Sequence, residues 1–457
     1  MRVPKPANEP LRDGSSVGSE RAVLVGILLP DTKADLRDPL GELSALARTA
    51  GANVVDAMIQ KRTNLTTAFG LGKGKVRELH ERATANEADV AIFDNDLTPR
   101  QIRGIERECG IKVIDRSELI LDIFASRAKT HAAQLQVELA QLEYTAPRIR
   151  GMWTHLERIA GVGGATAAGA VGGVGTRGPG ERQIEIDRRL VRKRIAYLKR
   201  EIAEIDRRKQ QEVRSRGDEY TVSLVGYTNS GKTTLLNKLT GAGRFTADIL
   251  FATLDTKTAR WALGDGREVL LSDTVGFVRD LPHKLVASFR ATLEETIHAN
   301  LLIHVVDASS PQALAQVDAV EDVLEEIGCG KRPVLMVLNK MDIVDDASIP
   351  DMLAIRRPGA LRISAANGTG LDELAAGVLD LLAKDAVSAT VHVPHTEGKL
   401  LAEIDRRAEV LARRYRDDGV ELDVRIDRAQ LRHICGRHDT ISVLRSDSDP
   451  ADELDFA

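Results

Sequence analysis

The sequence predicts an α/β protein in four parts: an N-terminal α/β domain, an antiparallel helical hairpin with a Gly-rich tip, a P-loop α/β domain and a small C-terminal α/β domain. Three observations lead there. Short apolar runs alternate with amphipathic stretches in two separate regions, the mark of largely parallel sheets covered by helices. Between those regions lie two runs with heptad spacing, the pattern of packed helices. The second alternating region opens on G-x-x-x-x-G-K-T, set between an apolar strand and an amphipathic helix.

Composition narrows the classes. At 457 residues, 43% of them hydrophobic and 29% charged, the chain suits a soluble protein of about three domains. A net charge of -4 leaves no overall preference for nucleic acid, so any basic surface must be local. Cys109, Cys329 and Cys435 stand far apart in no C-x-x-C pattern, which argues against a disulfide framework or zinc site and for a reducing, cytoplasmic setting. The apolar run "LLIHVVDA" is too short to span a bilayer, and no stretch requires a membrane.

Residues 1–20, rich in Pro, Gly and Ser, read as a disordered tail. From 21 to 117, "AVLVGILL", "NVVDAMI", "VAIFD" and "IKVID" read as strands. The helices between them are "LGELSALARTAG", "KVRELHERATANE" and "RQIRGIERECG". Residues 118–217 form the expected hairpin. Leu121, Ala125, Ala128, Ala132, Leu135, Leu139, Leu142 and Ala146 make one seam; Ile184, Val191, Ile195, Leu198, Ile202 and Ile205 make the other. The connector, residues 161–182, holds only Gly, Ala, Val and Thr in its first half and cannot form a core. Arg177, Arg182, Arg188 and Arg189 follow, and residues 181–217 carry thirteen Lys or Arg against seven Asp or Glu. That excess suits a finger reaching along phosphates, with these four arginines as candidate RNA contacts, and equally a linker beside a solvated helix face. Residues 218–384 hold the second α/β region. In 385–447, "ATVHVP", "EGKLLAEIDRRAEVLARRY" and "GVELDVRID" suggest a β-α-β unit, and 448–457 form an acidic tail.

The motifs point to a nucleotide. In "VSLVGYTNSGKTTLLNKL", the loop Gly226, Tyr227, Thr228, Asn229, Ser230, Gly231, Lys232 and Thr233, with Thr234 after it, can wrap phosphate oxygens in backbone N–H groups at a helix N-terminus. Lys232 would reach the β- and γ-phosphates, and the Thr233 hydroxyl would ligate Mg²⁺. Asn339-Lys340-Met341-Asp342 ends a buried strand and resembles the guanine-reading element of Ras-like GTPases. Asp342 would accept from guanine, Asn339 would fix the loops, and the Lys340 stem would cover the base. Ser364-Ala365-Ala366 follows another strand, where an Ala N–H can meet guanine O6. Thr253 is the candidate switch threonine for Mg²⁺ and γ-phosphate. Asp273 would hold Mg²⁺ through water, and the Gly276 N–H would contact the γ-phosphate. GTP/GDP and Mg²⁺ are the implied ligands. Phe277 stands where Ras-like enzymes carry the Gln that orients water, so hydrolysis needs an orienting group from elsewhere.

Taken together, the chain resembles the HflX family of translational GTPases, on the Obg–HflX branch, from about residue 23 to 430. The resemblance rests on "GLGKGKVREL", "DNDLTPRQIRGIE", "LILDIFASRAKT", "QVELAQLEY", "WTHLER", "RGPGERQIEIDRR" and "FATLDTKTARW". It implies a monomer that binds the large (50S) ribosomal subunit and the 70S ribosome, with its Gly-rich loop near the peptidyl-transferase region. It also implies splitting of stalled or idle ribosomes, and slow intrinsic hydrolysis stimulated by the ribosome. Asn229 matches the P-loop Asn that helps hold K⁺ in cation-dependent GTPases; bracing of the loop is the other reading. Two features depart from the family pattern: a longer Gly/Ala stretch, and Arg182 and Ile186 where "GPGETQLETDRR" has Thr. "GLGKGK" reads either as a tight turn with exposed lysines or as a second, adenine-nucleotide site, since the family has been linked to ATP-dependent rRNA remodelling.

Overall fold

In the computed structural model, the described residues are 19–30, 32, 37–146, 179–215, 220–242, 250–251, 257–264, 267–279, 295–330, 332–384, 386–427, 431, 434–435 and 441–446. They divide into two compact units. One holds residues 1–206 with 247–255 and 280–290; the other holds 207–246, 256–279 and 291–457.

In the first unit, β1 (Arg21–Leu28), α1 (Gly41–Thr49), β2 (Asn53–Lys61), α2 (Lys73–Ala85), β3 (Val90–Phe93), α3 (Pro99–Cys109), β4 (Lys112–Asp115) and α4 (Arg116–Arg127) alternate along the chain. The strands pair in parallel in the order β2-β1-β3-β4. Seven consecutive residues of β1 are buried, as a strand covered on both faces requires. Local chemistry sets the helix starts: Thr98 and Gln101 form a capping box ahead of Pro99. The carboxyl ends of β1 and β3, where open parallel sheets often bind ligands, are filled by the chain's own side chains. The Asn95 carboxamide bonds both the N–H and the carbonyl of Ile27. Arg116, 2% exposed, pairs with Asp94 at 2.7 Å and Glu42 at 3.0 Å. "GLGKGK" is not itself a tight turn: Gly70 closes a turn with Thr66, the Gly72 N–H donates to Gln60 Oε1, and Lys73-Gly74-Lys75 open α2, with Lys73 exposed and Lys75 paired with Glu78.

The first heptad run is not one helix. After α4, Ala128 is extended, and Thr130 starts α5 (His131–Thr145) by accepting from the Ala133 N–H at 3.2 Å. α4 buries Leu119, Ile120, Leu121, Ile123 and Phe124, more than a two-position stripe, and its neighbours are α1, β3, β4 and α5. Leu121 therefore belongs to the N-terminal domain. The hairpin seam starts at Leu135, which packs with Leu139 and Leu142 against Val191 and Leu198 of α6 (Pro179–Ser215). Arg194–Glu138 and Lys199–Glu143, both 2.7 Å, flank the seam. The Gly-rich segment 161–178, with Arg177, lies outside the described residues.

In the second unit, β5 (Thr221–Val225), α7 (Lys232–Thr240), β6 (Lys257–Gly264), β7 (Arg267–Asp273), β8 (Leu301–Asp307), α8 (Ala313–Glu326), β9 (Val334–Asn339), α9 (Ser348–Arg356), β10 (Leu361–Arg362) and α10 (Leu371–Lys384) build a sheet ordered β10-β9-β8-β5-β7-β6. Only the β6–β7 pair is antiparallel. A second sheet, ordered β12-β13-β11-β14, is antiparallel and comprises β11 (Ala386–Pro394), β12 (Glu409–Tyr415), β13 (Gly419–Asp427) and β14 (Ser442–Ser446), with α11 (Gly398–Arg407) among them. The expected long helix through "EVLARRY" stops at Arg407. Residues 409–415 instead pair with β13, with Val410 opposite Val424 in the core, so long-range pairing overrides helix propensity. Among the described residues, no helix is long and apolar enough to cross a membrane.

Removing one partner of a buried ion pair leaves the other charges without compensation. Arg116→Met is expected to cost the first unit about 3–5 kcal/mol, read as a lower urea midpoint of its unfolding transition.

Candidate nucleotide site

Parallel pairing brings the carboxyl ends of β5, β7, β8 and β9 to one edge: Leu224 lies opposite Asp273, and Asp307 opposite Asn339. From β5 the chain runs through residues 226–231 into α7. Gly231 has φ 94°, and a Cβ there would lie 2.3 Å from Asn339 Nδ2, so no other residue fits. Lys232 is buried at the start of α7, and its ammonium donates back into the loop, to the Gly226 carbonyl at 2.9 Å and the Tyr227 carbonyl at 2.8 Å. Burial pulls the Lys232 pKa down to about 8, while the nearby Asp273 carboxylate opposes that shift. Thr233 Oγ1 donates to Asp273 Oδ2 at 2.7 Å. A hydroxyl and a carboxylate in contact are hard oxygen donors of the kind Mg²⁺ takes, so these residues fit that ion.

The other side of the site hangs on Asn339, 2% exposed at the end of β9. Its Nδ2 donates to the Ser230 carbonyl at 2.8 Å, and its Oδ1 accepts from the Ala365 N–H at 2.9 Å. Lys340 follows in the left-handed region, with Nζ 2.7 Å from Asp307. Asp342 is exposed on a 3₁₀ turn, Met341–Ile343. Ser364 and Ala365 are buried and their amides are engaged by Thr369 and Asn339, whereas Ala366 is exposed. Ala366 thus carries the amide of this triplet that can face a base. Sequence reasoning missed Asp307, although an acid ending the buried strand "LLIHVVD" was a visible signal.

Asp273, Thr274 and Val275 are buried, and Thr274 Oγ1 donates to the Leu224 carbonyl at 2.6 Å. Tyr227 and Thr228 are buried as well, and the Thr228 N–H donates to the Phe277 carbonyl at 2.7 Å. Asn229 is exposed, with φ 62°, and Thr234 is half-buried on α7. Thr253 lies outside the described residues. Arg182, Arg188 and Arg189 lie on α6; Arg188 is half-buried and Arg189 exposed.

A largely parallel sheet with a lysine-centred loop after one strand, D-T-x-G after the next and N-K-x-D after a third defines a P-loop GTPase. Three family models match the chain in succession: a GTP-binding GTPase N-terminal region over residues 37–125, a GTP-binding GTPase middle region over 127–216, and a 50S ribosome-binding GTPase over 221–340. GTPase HflX of Escherichia coli is 41% identical over 91% of this chain and 96% of its own length. GTPase HflX of Caldanaerobacter subterraneus is 38% identical over 89% and 91%. A GTP-binding protein of the archaeon Sulfolobus solfataricus, solved in complex with GDP, is 25% identical over 79% of this chain and 98% of its own, with a TM-score of 0.40. The chain belongs to the HflX family and is a GTP-hydrolysing enzyme.

The depressed pKa of Lys232 gives nucleotide binding a pH dependence. Phosphates favour the charged ammonium, so the bound site keeps its proton above pH 8 while the free site loses it. GDP affinity should be flat well below pH 8 and fall toward about tenfold per pH unit above it. Isothermal titration at pH 7, 8 and 9 in buffers of different ionisation enthalpy should show proton uptake only at the higher values.

Proposed function

We propose that this protein binds the large ribosomal subunit in its GTP state and splits stalled or idle 70S ribosomes, with hydrolysis to GDP releasing it. The observation that carries this reading is a guanine-nucleotide site in the same chain as a strongly basic helical hairpin. From Arg188 to Arg208, α6 carries nine Lys or Arg against three Asp or Glu, with Arg189, Arg192, Lys193, Arg200, Arg207 and Arg208 exposed. Such a face suits phosphate contacts that position the protein without reading sequence. Arg177, Arg182, Arg188 and Arg189 extend that role toward the Gly-rich tip, which would approach the peptidyl-transferase region.

In the site, the amides of residues 229–234 and the Lys232 ammonium would hold the phosphates. Thr233, Asp273 and Thr253 would hold Mg²⁺, which supplies charge neutralisation at the β- and γ-phosphates. Asp342 would read guanine, the Lys340 stem, tethered by Asp307, would cover the base, and the Ala366 amide would meet O6. The Asn229 carboxamide offers one oxygen for K⁺; exchanging KCl for NaCl tests that ion directly. The protein would act in the cytoplasm, as a monomer on the ribosome.

Sucrose gradients of 70S ribosomes should shift to free subunits with the protein plus GTP or a non-hydrolysable analogue, and not with GDP. Binding to 50S particles without any loss of 70S would reduce the function to a ribosome-bound switch. Asp342→Asn should weaken GTP binding by roughly a hundredfold, because one carboxylate oxygen that would accept from guanine becomes an amide donor facing guanine donors, and splitting at limiting GTP should fall with it. Filter binding and the gradients check both.

A further inference from the structure

The stretch after Gly276 is stitched to the P-loop. The Phe277 N–H donates to the Gly226 carbonyl at 3.2 Å, and the Phe277 carbonyl accepts from the Thr228 N–H at 2.7 Å. Together these make a parallel bridge between Tyr227 and Phe277. Two residues further on, the Arg279 backbone N–H donates to the Tyr227 phenol oxygen at 2.7 Å. Tyr227 is 7% exposed, Phe277 3% and Val278 1%, so the stitched segment is packed along its length. Gly276 closes the fit. A Cβ at that position would lie 2.7 Å from Thr228 Cα and 3.1 Å from Lys232 Nζ, which places its backbone beside the loop's ammonium.

We infer that Tyr227 is a positioning residue for GTP hydrolysis, its phenol oxygen fixing the Arg279 amide and hence the register of residues 276–279 against the P-loop. The second residue of G-x-x-x-x-G-K-T is free to vary as far as phosphate binding goes, because the cradle is main chain. A buried tyrosine there, with its hydroxyl bonded to the segment after D-T-x-G, does something the cradle does not need. Phe277 has no polar side-chain atom, so this segment can assist the reaction only through its main chain. Main-chain groups stabilise developing charge when they are held in place before the reaction begins. The bridge at residue 277 alone is a pivot about which 278 and 279 can turn. A second tether at 279 removes that freedom. The inference concerns hydrolysis itself and stands apart from ribosome splitting.

Tyr227→Phe keeps the ring and deletes the acceptor. Single-turnover GTP hydrolysis should slow about tenfold, with and without 50S subunits, from the loss of one well-formed hydrogen bond. GDP affinity and melting temperature should stay within about twofold and a few degrees of the parent, since neither the cradle nor the packing is touched. Amide exchange in a peptide covering residues 277–281 should rise. Tyr227→Leu, which also removes the ring, should lose GDP affinity as well and so separates packing from positioning. An unchanged or faster hydrolysis rate in Tyr227→Phe, despite faster exchange at Arg279, overturns the inference. So does a rate loss matched by an equal loss of GDP affinity, which would make Tyr227 a support of the loop alone.

Discussion

The nucleotide site is organised around one buried carboxamide. Asn339 belongs to the β9 end, but its two polar atoms are spent on other loops: one holds the Ser230 carbonyl of the P-loop and the other the Ala365 amide of the Ser-Ala-Ala loop. Its backbone carbonyl accepts from Ala308, after β8. The ends of β5, β8, β9 and β10 are therefore referenced to one residue, two of them through its side chain. A primary amide has two donors and one acceptor group with directions fixed by its plane, which is why no apolar residue of the same size can replace it. The tight approach to Gly231 follows from the same arrangement: the loop must run close enough for its Ser230 carbonyl to be reached, and only glycine leaves that room. The P-loop and the Ser-Ala-Ala loop are thus tied to one another through a single carboxamide.

A second buried pair controls the electrostatics. Lys232 and Asp273 are both sealed from water; the ammonium donates to two loop carbonyls, and Oδ2 of the carboxylate accepts from Thr233. Burial pulls the Lys232 pKa down to about 8, and two carbonyl bonds hold its ammonium against the loop. Triphosphate and a divalent cation would add the charges that this lysine and carboxylate are placed to meet.

Much of this was legible in the sequence because it depends on fixed spacing along a strand–loop–helix unit. G-x-x-x-x-G-K-T, D-T-x-G and N-K-x-D each occupy a strand end, and parallel pairing then brings them to one edge without further information. What failed to show depends on partners distant in the chain. The break at Ala128–Thr130 is hidden because Ala and Leu keep heptad spacing through it, and only burial against α1 and the sheet assigns α4 to the N-terminal domain. β12 reads as helix because Glu, Leu, Ala and Arg favour one, while its strand state is imposed by β13. Asp307 was passed over, and Tyr227 was read only for its main chain, for a related reason. Neither is a motif letter, and each acquires its task from a group many residues away, Arg279 in one case and Lys340 in the other.

Phe277 draws these threads together. In a Ras-like enzyme the side chain at this position must be free to hold a water, which requires an open polar setting. Here the main chain on both sides is bonded to the P-loop and the ring is 3% exposed. A glutamine amide placed in that setting would need donors and acceptors that a phenyl site does not supply, and an unpaired buried amide costs about 1–3 kcal/mol. The phenylalanine is therefore part of how the switch segment is held, and the missing glutamine is a consequence of that choice. The segment so held presents fixed main-chain contacts and, at residue 277, no polar side-chain atom that could orient a water.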